Sequence, residues 1–111
     1  MQTAKSITKY VRVPPRKARL AADLIRGLGV IAAALQLRTC NVKAGKLLEK
    51  TLNSAVANAE TQLQLRKEDL IVQEVRVDAG PVLKRAKSKS KGGRVPVMKR
   101  TSHFTVVVAA N

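Results

Sequence analysis

All seven acidic residues of this chain lie between Asp23 and Asp78, and the segments on either side of that window contain none. Residues 1–22 hold six Lys or Arg and residues 79–111 hold eight, while residues 23–78 set eight cations against the seven acids. The middle is therefore near neutral, and almost the whole formal charge of +15 belongs to the two ends. Charge that serves only solubility is interspersed with its opposite. Segregated charge instead builds cationic faces or arms that repel themselves and attract a polyanion, and nucleic acid is the partner expected first. At 111 residues the chain has room for one domain, 1–111, with one modest core. An apolar fraction of 45% is too high for a disordered basic tail.

Several classes drop out. Cys40 is the one cysteine, which excludes a disulfide framework and fits a reducing compartment. The opening MQTAKSITKY has no apolar stretch of the kind a signal peptide needs. The longest wholly apolar run, Val30 to Leu35, is far short of a bilayer span. The expectation is a soluble, cytoplasmic chain without a membrane partner.

The middle reads as three helices. Pro14-Pro15 suits a first helical turn, where a missing N–H costs nothing. Leu20, Ala21, Leu24, Ile25 and Leu28 then recur at helical spacing, and Gly27 and Gly29 punctuate the end. Ile31, Ala34, Leu35 and Leu37 suggest a short second helix from about Val30 to Arg38. Asn41 is a candidate cap for a longer third helix. Its apolar stripe runs Ala44, Leu47, Leu48, Thr51, Leu52, Ala55, Val56, Ala59 and Leu63.

The flanks read as strands over residues 3–13, 70–79 and 101–110. Val75 and Val77 fall on one face of the second, opposite Glu74, Arg76 and Asp78. Phe104, Val106 and Val108 share a face of the third. The order β-α-α-α-β-β predicts an α+β fold, with three helices packed on a small antiparallel sheet. Between the last two strands, residues 81–100 carry eight basic residues and no acid, and are expected to form a long protruding basic β-hairpin. Gly92-Gly93 signals a two-residue turn. Regular pairing about that turn sets Val77 opposite Val108, Ala79 opposite Val106, Lys91 opposite Arg94 and Arg85 opposite Arg100. Facing like charges destabilise a ladder, and a lone two-stranded ribbon is marginal in water. The arm is thus expected to order only against a polyanion.

Candidate RNA-binding residues are the cations of the acid-free ends: Lys5, Lys9, Arg12, Arg16, Lys17, Arg19, Lys84, Arg85, Lys87, Lys89, Lys91, Arg94, Lys99 and Arg100. Only two aromatic rings are present, Tyr10 and Phe104. Phe104 belongs to a core face, and Tyr10 is expected to pack on the sheet, although stacking on a base is its other use. Recognition by backbone, shape and 2′-OH follows, as for folded RNA. Catalysis finds no footing. His103 has no Cys or carboxylate set with which to hold a metal, Cys40 reads as an apolar filler, and no pair of acids suits acid–base work. No cofactor and no small-molecule substrate are expected.

Five segments occur in a telling order: PRKARL (Pro15 to Leu20), DLIRG (Asp23 to Gly27), NSAVANAE (Asn53 to Glu60), VDAGP (Val77 to Pro81) and KRTSHFTVVV (Lys99 to Val108). Together they resemble the bacterial-type large-subunit ribosomal protein twenty-two family, over essentially the whole chain. The resemblance implies a structural constituent of the large ribosomal subunit that binds large-subunit (23S-type) rRNA and supports early assembly. It also implies neighbouring ribosomal proteins as partners, and a hairpin reaching towards the nascent-polypeptide exit tunnel, its tip beside the nascent chain. Carried onto this chain, the tip is Lys91, Gly92, Gly93 and Arg94. Arg16, Lys17 and Arg19 match the basic helix start, Lys84 and Arg85 the inward strand, and Thr101, Ser102 and His103 the return strand, and all of these are expected to contact the rRNA. This chain departs in having Lys87, Lys89 and Lys91 where many relatives have Arg, and Gly93 near the tip; lysine cannot fork onto phosphate as arginine does. The compartment would be a bacterial cytoplasm or an organelle that makes its own ribosomes. The alternative is an architectural DNA-binding protein with a β-ribbon arm, although Lys-Gly-Gly-Arg offers no apolar wedge.

Overall fold

The computed structural model describes residues 2–88 and 94–110. Three strands, β1 (Thr3–Val11), β2 (Leu70–Ala79) and β5 (Ser102–Ala110), form an antiparallel sheet in the order β1-β5-β2. β5 takes the centre because its run of Val and Ala is apolar on both faces. On the helix side Phe104, Val106 and Val108 are fully buried. Opposite them stand Val77, Val75 and Val72 of β2, and Ala4 and Ser6 of β1 face Val108 and Val106. The expected division of β2 holds: Val75 and Val77 are buried, while Glu74, Arg76 and Asp78 are exposed. Arg76 ties the two acids together along the strand, its Nη1 3.7 Å from Glu74 Oε1 and its Nε 3.2 Å from Asp78 Oδ2.

Three helices, α1 (Pro15–Asp23), α2 (Val30–Thr39) and α3 (Lys43–Gln62), cover the inner face. α3 lies over β1 and β5, α1 over β2, and α2 packs on α3. The third helix buries the stripe its spacing predicts, with Ala44, Leu48, Thr51, Leu52, Ala55, Val56 and Ala59 inside. The expected Asn41 cap is absent: Val42 occupies the cap position and no side chain bonds there. The first helix also differs from expectation. Its buried residues are Pro15, Ala18, Ala21 and Ala22, whereas Leu20 and Leu24 are exposed. Alanine admits the close approach of α1 to β2, which leucine on that face would prevent. α1 stops at Asp23 because the next turn turns aside to the sheet. Gly27, at φ +79°, donates its N–H to Val72 O at 3.1 Å, and Val72 returns a bond to Leu28 O at 2.8 Å.

That detour covers the free edge of β2. Arg26 Nη2 donates to Val75 O at 3.0 Å, and Arg19 donates from Nε and Nη2 to Val77 O at 3.3 and 3.2 Å. Asp23 pairs with Arg26 and holds it in place. On the other edge, Asn58 of α3 donates to Lys5 O at 3.0 Å.

The arm is a separate two-stranded ribbon of β3 (Leu83–Ser88) and β4 (Arg94–Lys99). The molecule measures 61 × 24 × 16 Å. Its radius of gyration is 16.8 Å, against about 13 Å for a compact chain of this length. The register differs from the turn-based expectation. Val77 faces Phe104 and Ala79 faces Ser102, while in the arm Arg85 faces Val97, Lys84 faces Met98 and Arg94 faces Ser88. The predicted pair Arg85–Arg100 therefore does not form, and the predicted Lys91–Arg94 pair involves a residue outside those described. The β3–β4 ladder is itself offset by three residues from the turn-based register, and an extra residue where β2 passes into β3 and a bulge at Val72–Glu74 shift the pairing by one more each. The described cations of β3 and β4 face apolar or small residues across the ladder. Lys89, Lys91, Gly92 and Gly93 lie outside the described residues.

Candidate nucleic-acid interface

The first turn of α1 meets the base of the arm in a groove of about 630 Å³. Pro14 sits at the cap with extended backbone and Pro15 opens the helix, so the amide end of α1 is fixed without a capping side chain. Arg16, Lys17 and Arg19 line one wall, and Arg100, Gly80 and Val82 the other. No acid lines the groove, and the helix end adds its own partial positive charge. The neighbouring cations Arg12, Lys84, Arg85 and Lys99 are exposed, as are Lys5 and Lys9 on β1. The fold thus sets Arg16, Lys17 and Arg19 in one groove with Arg100, which the sequence places some 80 residues away. Such an arrangement can neutralise closely spaced phosphates.

Individual candidates fare differently. Arg19 is partly committed to the Val77 carbonyl, so it braces the sheet as well as lining the groove. Arg85 Nη1 turns back to Lys84 O at 2.9 Å. Thr101 and Ser102 are buried at 3% and 0% exposure. The Thr101 hydroxyl donates to Pro81 O at 2.6 Å and that of Ser102 to Val13 O at 2.5 Å. Both hydroxyls are spent inside the protein, and both residues belong to the joint and the start of β5, not to a return strand of the arm. Gly80 completes that joint: its N–H donates to Thr101 O at 2.9 Å, and a Cβ there would stand 2.5 Å from Thr101 Oγ1. Lys87 and Arg94 occupy strand positions in the arm, while Lys89 and Lys91 fall outside the described residues.

His103 and Tyr10 form a feature that charge counting does not reveal. Tyr10 has φ +58° and 64% exposure, and its N–H donates to His103 Nδ1 at 3.1 Å. The two rings meet edge to face, with centroids 5.0 Å apart and planes at 89°. The expected packing of Tyr10 on the sheet is thus limited to the His103 ring. A left-handed backbone costs a tyrosine about 1–2 kcal/mol. Among the described residues no group of three or more His, Cys, Asp or Glu could hold a metal. No described helix is long and apolar enough to cross a membrane.

Fold and surface together define a class: a small, strongly basic α+β protein with an acid-free groove and a projecting ribbon, chemistry suited to a polyanion. Residues 6–109 match the family described as ribosomal protein L22p/L17e, and the chain belongs to that family. Over 109 residues, 98% of either chain, it is 68% identical to the large ribosomal subunit protein uL22 of Protochlamydia amoebophila. The proteins of the same name from Chlamydia pneumoniae and Chlamydia muridarum are 61% and 59% identical over 104 residues, 94% of either chain. This is a family of ribosomal structural components, not of enzymes.

Proposed function

We propose that this chain is a structural protein of the large ribosomal subunit, binding large-subunit rRNA through its two cationic ends. The observation that carries the reading is the acid-free groove where Arg16, Lys17 and Arg19 face Arg100 at the root of the arm. The body supplies a rigid platform; the arm carries cations outward along a ladder with no core of its own, so phosphates on either side complete it. In the family's manner the arm reaches inward towards the nascent-polypeptide exit tunnel, with residues 91–94 nearest the nascent chain, and the protein joins the subunit early alongside neighbouring ribosomal proteins.

Deleting Ser88 to Val97 tests the reading. The shortened protein is expected to keep a folded body while its affinity for protein-free large-subunit rRNA falls. The slope of log affinity against log salt should drop by several units, at about 0.7–0.9 per lost phosphate contact. An unchanged slope, or equal competition by duplex DNA, overturns it.

A further inference from the structure

Tyr10 is held in place by features that folding alone does not call for. β1 and β5 pair regularly from Thr3–Ala109 to Thr8–Phe104, and pairing resumes at Val11–Ser102, so Lys9 and Tyr10 together oppose His103. This is a β-bulge, a device that re-aims side chains. Thr8 and Val11 on either side both turn to the helix layer: Thr8 Oγ1 lies 2.8 Å from Thr51 Oγ1, and Val11 packs against the core. Without the extra residue Tyr10 would share the inner face with Thr8. With it, Tyr10 is thrown onto the open face of the sheet, beside His103.

Among the described residues the other non-glycine at positive φ is Gln64, just past the end of α3, where a left-handed residue commonly closes a helix. Tyr10 closes no helix. Its strained backbone is held by the bond to His103 Nδ1, and its ring gains little burial in return. The perpendicular arrangement matters. Whether the His103 edge points at the Tyr10 ring or the reverse, at least one face of the tyrosine stays uncovered by His103. Exposed Lys9 and Arg12 flank it, and no acid occurs in the first 22 residues. Asp78, across the ladder from His103, is engaged by Arg76.

We infer that Tyr10 is a stacking platform for one unpaired nucleobase of the RNA, aimed by the bulge and steadied by His103. The inference rests on the rRNA-binding reading above and adds a base contact to what composition described as recognition of backbone and shape. A π-face stacked on a base, flanked by cations, is how proteins hold single-stranded nucleotides without reading their sequence.

The chain has one tyrosine and no tryptophan, so tyrosine emission reports on Tyr10 alone. In the full-length protein, single-stranded oligouridylate is expected to quench that emission and a fully paired RNA duplex to leave it unchanged. Equal quenching by both, or by neither, overturns the inference. Two variants give an independent readout against protein-free large-subunit rRNA. Tyr10→Phe should bind as the parent does. Tyr10→Gly, which accepts the positive φ freely, should melt no lower than the parent yet bind about 5- to 150-fold more weakly, the worth of one stacked base, with an unaltered salt slope. A Gly variant that loses stability and affinity together makes Tyr10 a folding residue, and one that loses neither makes it a bystander; either result overturns the stacking role. If the rRNA-binding reading itself were wrong, the parent and the arm deletion would bind rRNA equally poorly, an outcome separate from all of these.

Discussion

Body and arm are both antiparallel ladders, yet only one has anything packed across it. In the body, Phe104, Val106 and Val108 press against three helices, and polar groups that enter are bonded, as Thr51 is to Thr8 and Ser102 to Val13 O. In the arm, Lys84, Arg85, Met98 and Lys99 are exposed, and Leu83 and Val97 are only half-buried. Burial of apolar surface is the main stabilising contribution in a small domain. A ribbon that buries so little depends on its surroundings for order. The two regions therefore differ in what holds them: a packed core in the body, and a hydrogen-bonded ladder with little apolar burial in the arm.

The widest expected contrast lies in truncating one apolar residue from each region. Phe104→Ala should destabilise the body by about 3–5 kcal/mol, a large part of a small domain's total, whereas Val97→Ala in the arm should fall within about 0.5 kcal/mol. Urea denaturation followed by circular dichroism reads both, and comparable losses would show that the arm is part of the cooperative unit. A smaller effect tests the joint between the regions. Gly80→Ala drives a methyl group against Thr101 Oγ1 and breaks its bond to Pro81 O; about 1–3 kcal/mol is expected for such overpacking, together with weaker rRNA binding as the arm leaves at another angle. Wild-type stability and affinity there would mean that the joint does not set the arm's course. Smallest is Arg26→Ala, which removes the bond to Val75 O and should lower stability by about 0.5–1.5 kcal/mol while leaving the rRNA salt slope nearly unchanged, since Arg26 lies outside the groove.

The same division explains what could be read from the amino-acid order. The third helix and the inner faces of β2 and β5 were legible because burial imposes a period on large side chains. The first helix misled, since hydropathy weights Leu20 and Leu24 above Ala18, Ala21 and Ala22, whereas close approach to a strand favours the smaller residue. The register was not legible because it was read from the Gly92-Gly93 signal alone, whereas the β3–β4 pairs are already offset from that turn before the Gly80–Thr101 joint and the bulge shift the ladder further. Within the interface, the meeting of the two cationic ends was expected only loosely from charge. The commitment of Thr101 and Ser102 to carbonyls inside the protein, and the outward turn of Tyr10, depend on a single inserted residue and on a fold no local pattern encodes. A non-glycine at positive φ beside a histidine has no one-dimensional signature.

The covered edge of β2 has a consequence for the chain before it reaches its partner. An open strand border is a template on which identical molecules add in succession, ending in fibres. Arg19, Arg26 and the Gly27–Leu28 backbone occupy the Val77, Val75 and Val72 carbonyls and the Val72 N–H along that border, and Asn58 occupies the Lys5 carbonyl on the opposite side. Each bond of this kind leaves one group fewer on which an identical molecule could add its own strand.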